Sequence, residues 1–280
     1  CASIRAAEPA PKSMSIAFLA VIAALLYLAA AGLQLASALQ HSGSLSRSLI
    51  VIGVFALGCH AYLTWHNIYG PNGINFGFFR IFSLIFLGIN CACLLALIKR
   101  PLQNLLIILF PLSAVAVLTA TLGPDTAAGE QKIPLGVAVH IGSSVVAYSI
   151  LTLAAIQAAL LAAQDAQLRR RQMGGFLSVL PPLQLMESML FELIWVGFMG
   201  LTLSIGTGVI FMDDIFAQHL VHKTVLSIAA WMLFAVLLCG RHWLGWRSQT
   251  AVRLTVTGFS VLMLAFLGSK LVLELVLERG

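Results

Sequence analysis

Charge is what this chain has least of. Only 9% of its 280 residues are charged while 60% are hydrophobic, against roughly 25% and 45–50% in soluble domains. The acids that do occur avoid the middle of the apolar runs. Glu187, Glu192, Asp213 and Asp214 stand near run ends, and Glu274 and Glu278 near the C-terminus. That lack weighs against an ion pump built on central carboxylates. Cysteine is scarce too, with five residues and no framework. Cys91 and Cys93 point to different sides of one helix, and Cys59 and Cys239 lie alone in others, so these thiols read as buried apolar groups. Cys1 reads as a trimmed or incomplete start. No nucleophile is paired with a base, so no enzyme is expected. No internal repeat and no pair of interrupted helices of the transporter kind is seen.

What the chain has in plenty is uncharged length. The runs 13–46, 48–79, 81–98, 101–124, 133–164, 193–212, 224–240 and 254–269 carry no Asp, Glu, Lys or Arg. A spanning helix needs about 20 mostly apolar residues, and Lys or Arg at its ends can snorkel. All eight qualify, the last two with help from Lys223, Arg253 and Lys270. The stretch 172–186 does not, because Gly174-Gly175 and Pro181-Pro182 interrupt it. The fold class is therefore all-α: a polytopic membrane protein, a bundle of eight transmembrane helices. They are placed at about 14–38, 47–67, 76–98, 101–121, 135–165, 188–212, 221–241 and 250–276. Residues 1–12, with Pro9 and Pro11, read as a disordered tail, and 13–280 as one transmembrane domain. Pro111 marks a kink in the fourth helix.

The formal charge of +6 is topological rather than a nucleic-acid footprint, and no nucleic-acid partner is expected. Arg47, Lys99, Arg100, Arg169, Arg170, Arg171, Arg241, Arg247 and Arg253 fall in or beside alternate connections. Excess Lys and Arg mark the cytoplasmic side, so both termini lie outside and the lipid bilayer is the first partner. The longest connection, 165–190, holds an Arg cluster followed by Phe176, Leu177, Val179 and Leu180. It reads as a topogenic loop, or as a cytoplasmic docking segment for another membrane protein.

Among ionisable groups, the buried chemistry is histidine chemistry. His140 opens a face of small and polar residues, with Ser143, Ser144, Ala147, Tyr148 and Leu151 at helical spacing. His60 shares a face with Gly53, Ala56, Leu57 and Thr64. Small side chains let a neighbouring helix or a flat ligand come close. His60 lies about 9 Å and His140 about 8 Å below the outer helix ends, at 1.5 Å per residue. Two neutral imidazoles at one depth suit axial ligation of a haem iron. Hydrogen bonding of each imidazole to a neighbouring helix is the competing use. His219 and His222 border the seventh helix; with Asp213 or Asp214 they read as a loose metal site, an external haem ligand or solvated boundary residues. His242 ends that helix in "GRHWLGWR", among the interfacial anchors Trp243 and Trp246. His41 and His66 read as loop residues.

The second half resembles the cytochrome c assembly family, the CcsA/CcmC/HemX-like membrane proteins that handle haem. "HIGSSVVAYSILTLAAIQAAL", "LTLSIGTGVIF" and "HKTVLSIAAWMLFAVLLCGRHWLGWR" carry the resemblance, which is strongest over 135–275. In the first half, "CHAYL" resembles the YpjD-type subgroup of bacterial inner-membrane proteins. The resemblance implies an outward-side haem-ligand role for His140, and it aligns His242 with a family histidine before Gly-Trp-Arg. It also implies a multi-pass protein of the bacterial inner membrane. The family's tryptophan-rich external segment, WGxxWxWDxxE, is replaced here by "DDIFAQHLVHKTV", and the external histidine past the last helix is missing. Together these readings make His60 and His140 the expected haem iron ligands, with His242, Tyr148 and Ser144 as further cofactor-binding residues and haem b as the cofactor. A non-haem accessory or scaffold subunit of a membrane complex, ion transport included, is the alternative.

Overall fold

A uniformly apolar chain has one way to satisfy its backbone inside a bilayer, and that is helix. The computed structural model describes residues 14–40, 47–70, 73–123, 133–170, 180–211 and 221–268. They form α1 (Met14–Leu39), α2 (Arg47–Ile68), α3 (Phe78–Ala96), α4 (Leu106–Leu122), α5 (Leu135–Arg169), α6 (Leu183–Phe211), α7 (Val221–Leu244) and α8 (Gln249–Met263). Eight spans, with a 3₁₀ turn extending α4 and a π-helical turn extending α8, are long and apolar enough to cross a membrane. A two-residue hairpin, β1 (Tyr69–Gly70) with β2 (Gly73–Ile74), joins α2 to α3.

All eight expected helices are present, and the differences are at their ends. The sixth starts at Leu183 rather than 188, directly after Pro181-Pro182. Proline ends no helix when it stands at the first turn, where its missing N–H is not needed. The fifth reaches Arg169; its 35 residues span about 52 Å at 1.5 Å each, well beyond a hydrocarbon core of about 30 Å. The fourth runs unbroken through Pro111. Beyond Met263 the last helix widens into a π-helical turn, Leu264–Gly268. The expected tail 1–12, the basic and apolar middle of the 165–190 connection and the expected end of the last helix, 269–276, lie outside the described residues.

Packing divides the bundle. The first four helices pack on one another, α1 chiefly on α4; α5 and α6 share the longest seam, and α7 and α8 close on it. The third helix also packs on α5 and so stands between the two groups. Small residues set these close approaches, as expected where no hydrophobic effect drives helices together. A Cβ on Gly200 of α6 would stand 3.3 Å from the Cα of Ala147 on α5. Tyr27, Phe110, Leu151 and Phe234 are among the fully buried side chains, while Val51, Phe55, Trp65, Met199 and Ile210 are exposed, toward lipid in this setting.

At the end of the bundle where α6 begins, charge is paired. Glu187 is buried and accepts from Arg241 Nη1 at 2.6 Å and from Arg247 Nε at 3.3 Å. The same Arg241 donates to the Trp246 carbonyl at 3.2 Å and lies over the Phe191 ring. Gly245, with φ +65, takes the left-handed turn between α7 and α8, a conformation that favours glycine. Arg100 and Glu192 form a second ion pair.

Candidate functional site

A cavity of about 480 Å³ opens among α3, α5, α6, α7 and the π-helical turn, a size typical of small-molecule and cofactor pockets. Its walls are mostly apolar, with Phe76, Ile81, Ile85, Val145, Ile205 and Phe266 prominent. The polar groups on it are few: His140, Ser144 and Tyr148 from α5, Ser204 from α6, and Lys223, Thr224 and Ser227 from α7. All belong to the end of the bundle where α5 and α7 begin and α6 ends.

His140 is held by a built arrangement. Its Nδ1 lies 2.8 Å from the carbonyl oxygen of Ser204. A carbonyl only accepts, so Nδ1 carries the hydrogen and Nε2 of the neutral ring keeps its lone pair. Among the described residues no hydrogen-bond partner meets Nε2. A ring N–H given to a backbone carbonyl, with the other nitrogen bare, is the arrangement that metal-ligating histidines adopt. Gly208 makes the space for it: a Cβ there would stand 3.1 Å from His140 Cε1 and 3.2 Å from Nδ1. The α5–α6 seam is fastened beside it. Ser144 Oγ donates to the His140 carbonyl at 2.7 Å and accepts from Ser204 Oγ at 2.6 Å. Ser143 donates to the same carbonyl at 3.0 Å. Tyr148 sits deeper, its hydroxyl donating to the Leu262 carbonyl at 2.6 Å, just before the π-helical turn. Its ring lies against Phe266, with centroids 5.4 Å apart.

His60 is not on this cavity. It is wholly buried among the first four helices, with Tyr27 Oη 3.0 Å from Nδ1 and Ser83 Oγ 2.9 Å from Nε2. The structure therefore does not assemble the expected pair of His60 and His140. α3 stands between the two sites. Ser83, which meets His60, falls between Ile81 and Ile85, which line the cavity. Two residues of helix are about 200° of turn, so neighbouring positions on one wall face opposite compartments. A helical period read on α2 and α5 alone cannot reveal a third helix interposed.

His242 is separated as well. It is exposed in the last turn of α7, 19 residues beyond cavity-lining Lys223, or about 28 Å along the helix axis. Its neighbours Arg241 and Arg247 serve Glu187. His222 is exposed at the start of α7, next to Lys223, and His66 is exposed in the last turn of α2. Asp213, Asp214, His219 and His41 lie outside the described residues. Among the described residues no group of three or more His, Cys, Asp or Glu is placed to hold a metal ion.

Two features of the site escaped the sequence reading. Gly208 was one small residue among several in "LTLSIGTGVIF", and only the position of the His140 ring singles it out. The partners of His60 carry no charge, so the positions of charges and histidines do not reveal them. Tyr27, Ser83, Asn90 and Ser113 are all buried and polar within uncharged runs, and an amide or hydroxyl in such a run was the available signal.

Comparison with known proteins bears on both halves. Residues 11–277 match the family model described as cytochrome C assembly protein. The chain is 33% identical over 259 residues to the inner membrane protein YpjD of Escherichia coli K12, covering 92% of this chain and 98% of that protein. It is also 29% identical over 140 residues to an uncharacterised 28.8 kDa protein of the nifR3-like 5′ region of Azospirillum brasilense, covering 49% of this chain and 52% of that one. No solved structure matches.

Proposed function

This chain belongs to the cytochrome c assembly protein family, and on that premise we propose that it is a multi-pass inner-membrane protein of cytochrome c biogenesis that holds haem in the cavity beside His140. The observation that carries the reading is the His140 ring, its Nδ1–H given to the Ser204 carbonyl at 2.8 Å and its Nε2 met by no hydrogen-bond partner among the described residues. An apolar cavity of about 480 Å³ with Gly208 beneath the ring fits a flat, largely apolar group. Haem would supply an iron centre able to bind an imidazole and to change oxidation state. The residues of this chain would do the rest. His140 Nε2 would hold the iron, and Ser204 and Gly208 would set its ring angle. Ser144 would fix the α5 backbone carbonyl, and Tyr148 with Phe266 would close the floor. The role is one of holding and handling rather than enzymatic turnover.

Ligation by His60 and His140 together would require His60 to leave both Tyr27 and Ser83 and α3 to move aside. His140 as the ligand from this cavity needs neither. The placement of Lys and Arg in alternate connections supports a cavity in the outer half of the membrane with both termini outside.

The test is titration of the detergent-purified protein with haem, followed at the Soret band. A saturable band in the parent protein that His140→Ala removes and His60→Phe leaves is the expected result. Protein that takes up no haem even with haem in excess overturns the reading.

A further inference from the structure

The first four helices bury a second constellation, apart from the cavity. Tyr27 of α1, His60 and Thr64 of α2, Ser83 and Asn90 of α3 and Ser113 of α4 are all buried and joined in one chain of hydrogen bonds. Its hydrogen directions can be assigned. Ser113 Oγ gives its hydrogen to the Leu109 carbonyl at 2.7 Å, so it accepts from Asn90 Nδ2 at 2.6 Å. Asn90 Nδ2 also donates to Tyr27 Oη at 3.5 Å. Tyr27 is then left to donate to His60 Nδ1 at 3.0 Å, and His60 Nε2–H donates to Ser83 Oγ at 2.9 Å. Ser83 lies 3.5 Å from Thr64 Oγ1.

Further polar pairs lie along the same helices in both directions. One turn beyond Thr64 on α2, Asn67 Nδ2 donates to Thr121 Oγ1 at 3.0 Å. Two turns from Tyr27 along α1, Gln34 Nε2 donates to Asn104 Oδ1 at 3.3 Å. From Asn104 to Thr121 is 17 residues, or about 25 Å of helix, most of a hydrocarbon core of about 30 Å. Two atoms of the column, Asn90 Oδ1 and Gln34 Oε1, are buried acceptors without a partner among the described residues. Buried polar groups rarely stay unpaired, and ordered water is their usual remaining partner.

Fastening helices together needs only pairwise contacts such as Gln34 with Asn104. It does not need an imidazole bridging hydroxyls of two other helices, one at each ring nitrogen. We propose that this column carries protons between the two faces of the membrane, with His60 as its relay residue. In the transfer the Tyr27 O–H bond breaks as a bond forms from hydrogen to His60 Nδ1. The His60 Nε2–H bond breaks as Ser83 Oγ takes that hydrogen. Ser83 passes its own hydrogen to Thr64, which releases one to water on the Asn67 side. Tyr27 regains a proton from water held at Asn90 Oδ1. One proton enters and one leaves, the imidazole is neutral before and after, and its hydrogen has moved from Nε2 to Nδ1. Rotation of the hydroxyls and a half-turn of the ring restore the starting order.

The experiment uses the haem-free full chain in liposomes enclosing a pH-sensitive dye, with a potassium diffusion potential set by valinomycin. Its outcome is therefore independent of the haem reading. The parent protein and a Gly142→Ala control, whose added Cβ meets nothing within 4 Å, are expected to pass protons at least tenfold faster than protein-free liposomes. His60→Gln keeps hydrogen-bonding capacity but has no second ring nitrogen through which to exchange a proton. It is expected to fall to the protein-free rate while eluting as a folded monodisperse species. His60→Phe, which removes both ring nitrogens, is expected to fall likewise; should it misfold, His60→Gln still decides. A parent rate equal to protein-free liposomes, or a His60→Gln rate equal to the parent, overturns the proposal.

Discussion

Replacing Gly208 with alanine separates the site from the fold. The added Cβ would stand 3.1 Å from His140 Cε1 and 3.2 Å from Nδ1, inside ordinary van der Waals contact of 3.4–4 Å. The ring must retreat by a few tenths of an ångström, and Nδ1, which meets the Ser204 carbonyl at 2.8 Å, is one of the two atoms most crowded. Disturbing a hydrogen bond that orients a metal-ligating histidine typically costs 10–100-fold in affinity. The shift here is small, so the lower figure applies: haem binding about tenfold weaker, or about 1.4 kcal/mol. Helix propensity acts in the opposite sense, since alanine is favoured over glycine in a helix interior by up to about 1 kcal/mol. Gly208→Ala should therefore bind haem less tightly while melting no lower than the parent. Gly206→Ala, on the same helix with nothing within 4 Å of its added Cβ, should bind haem as the parent does. Haem titration and thermal unfolding of the three proteins in one detergent provide the assay. Equal affinity in Gly208→Ala and the parent, or equal loss in Gly206→Ala, would refute the argument that this glycine sets the ring.

Two other outcomes follow from single contacts and a third from the charge pattern. Glu187→Gln leaves Arg241 and Arg247 without their shared carboxylate; a hydrogen bond to a charged group is worth about 1.5–3 kcal/mol. Both arginines are partly exposed, so the lower end is expected as a fall in melting temperature. An unchanged melting curve contradicts it. Tyr148→Phe removes the hydroxyl that meets the Leu262 carbonyl at 2.6 Å and should cost about 0.5–1.5 kcal/mol. Its amide exchange should quicken around the π-helical turn, and exchange unchanged there would show that the bond does not hold the turn. For topology, in a background lacking the native cysteines, a cysteine placed at exposed Leu135 should react with an impermeant maleimide in intact cells. One at exposed Ile98 should react only after permeabilisation. The reverse pattern inverts the orientation.

The eight spans were legible because hydrocarbon leaves the backbone no other option, and uncharged length reads directly as helix. His140 and its small-polar face were legible for a related reason: an imidazole in such a run needs a partner, and Ser143 and Ser144 follow it at helical spacing. What the sequence could not show was which helix stands next to which. The position of α3 between His60 and the cavity depends on tertiary packing, and one residue pattern does not encode it. The role of Gly208 was hidden likewise, since a glycine matters only for what lies against it. The separation of His242 from His140 was closer to reach. His140 begins one span and His242 ends another that runs the same way, so the charge pattern already placed them on opposite sides.

The most direct test of the account is the absorption spectrum of the purified protein supplied with haem, read for the parent, His140→Ala and His60→Phe. A Soret band that disappears with His140→Ala and persists with His60→Phe is the predicted result. A parent protein with no band, or a band that survives His140→Ala and is lost with His60→Phe, would contradict haem held from the α5–α6 cavity.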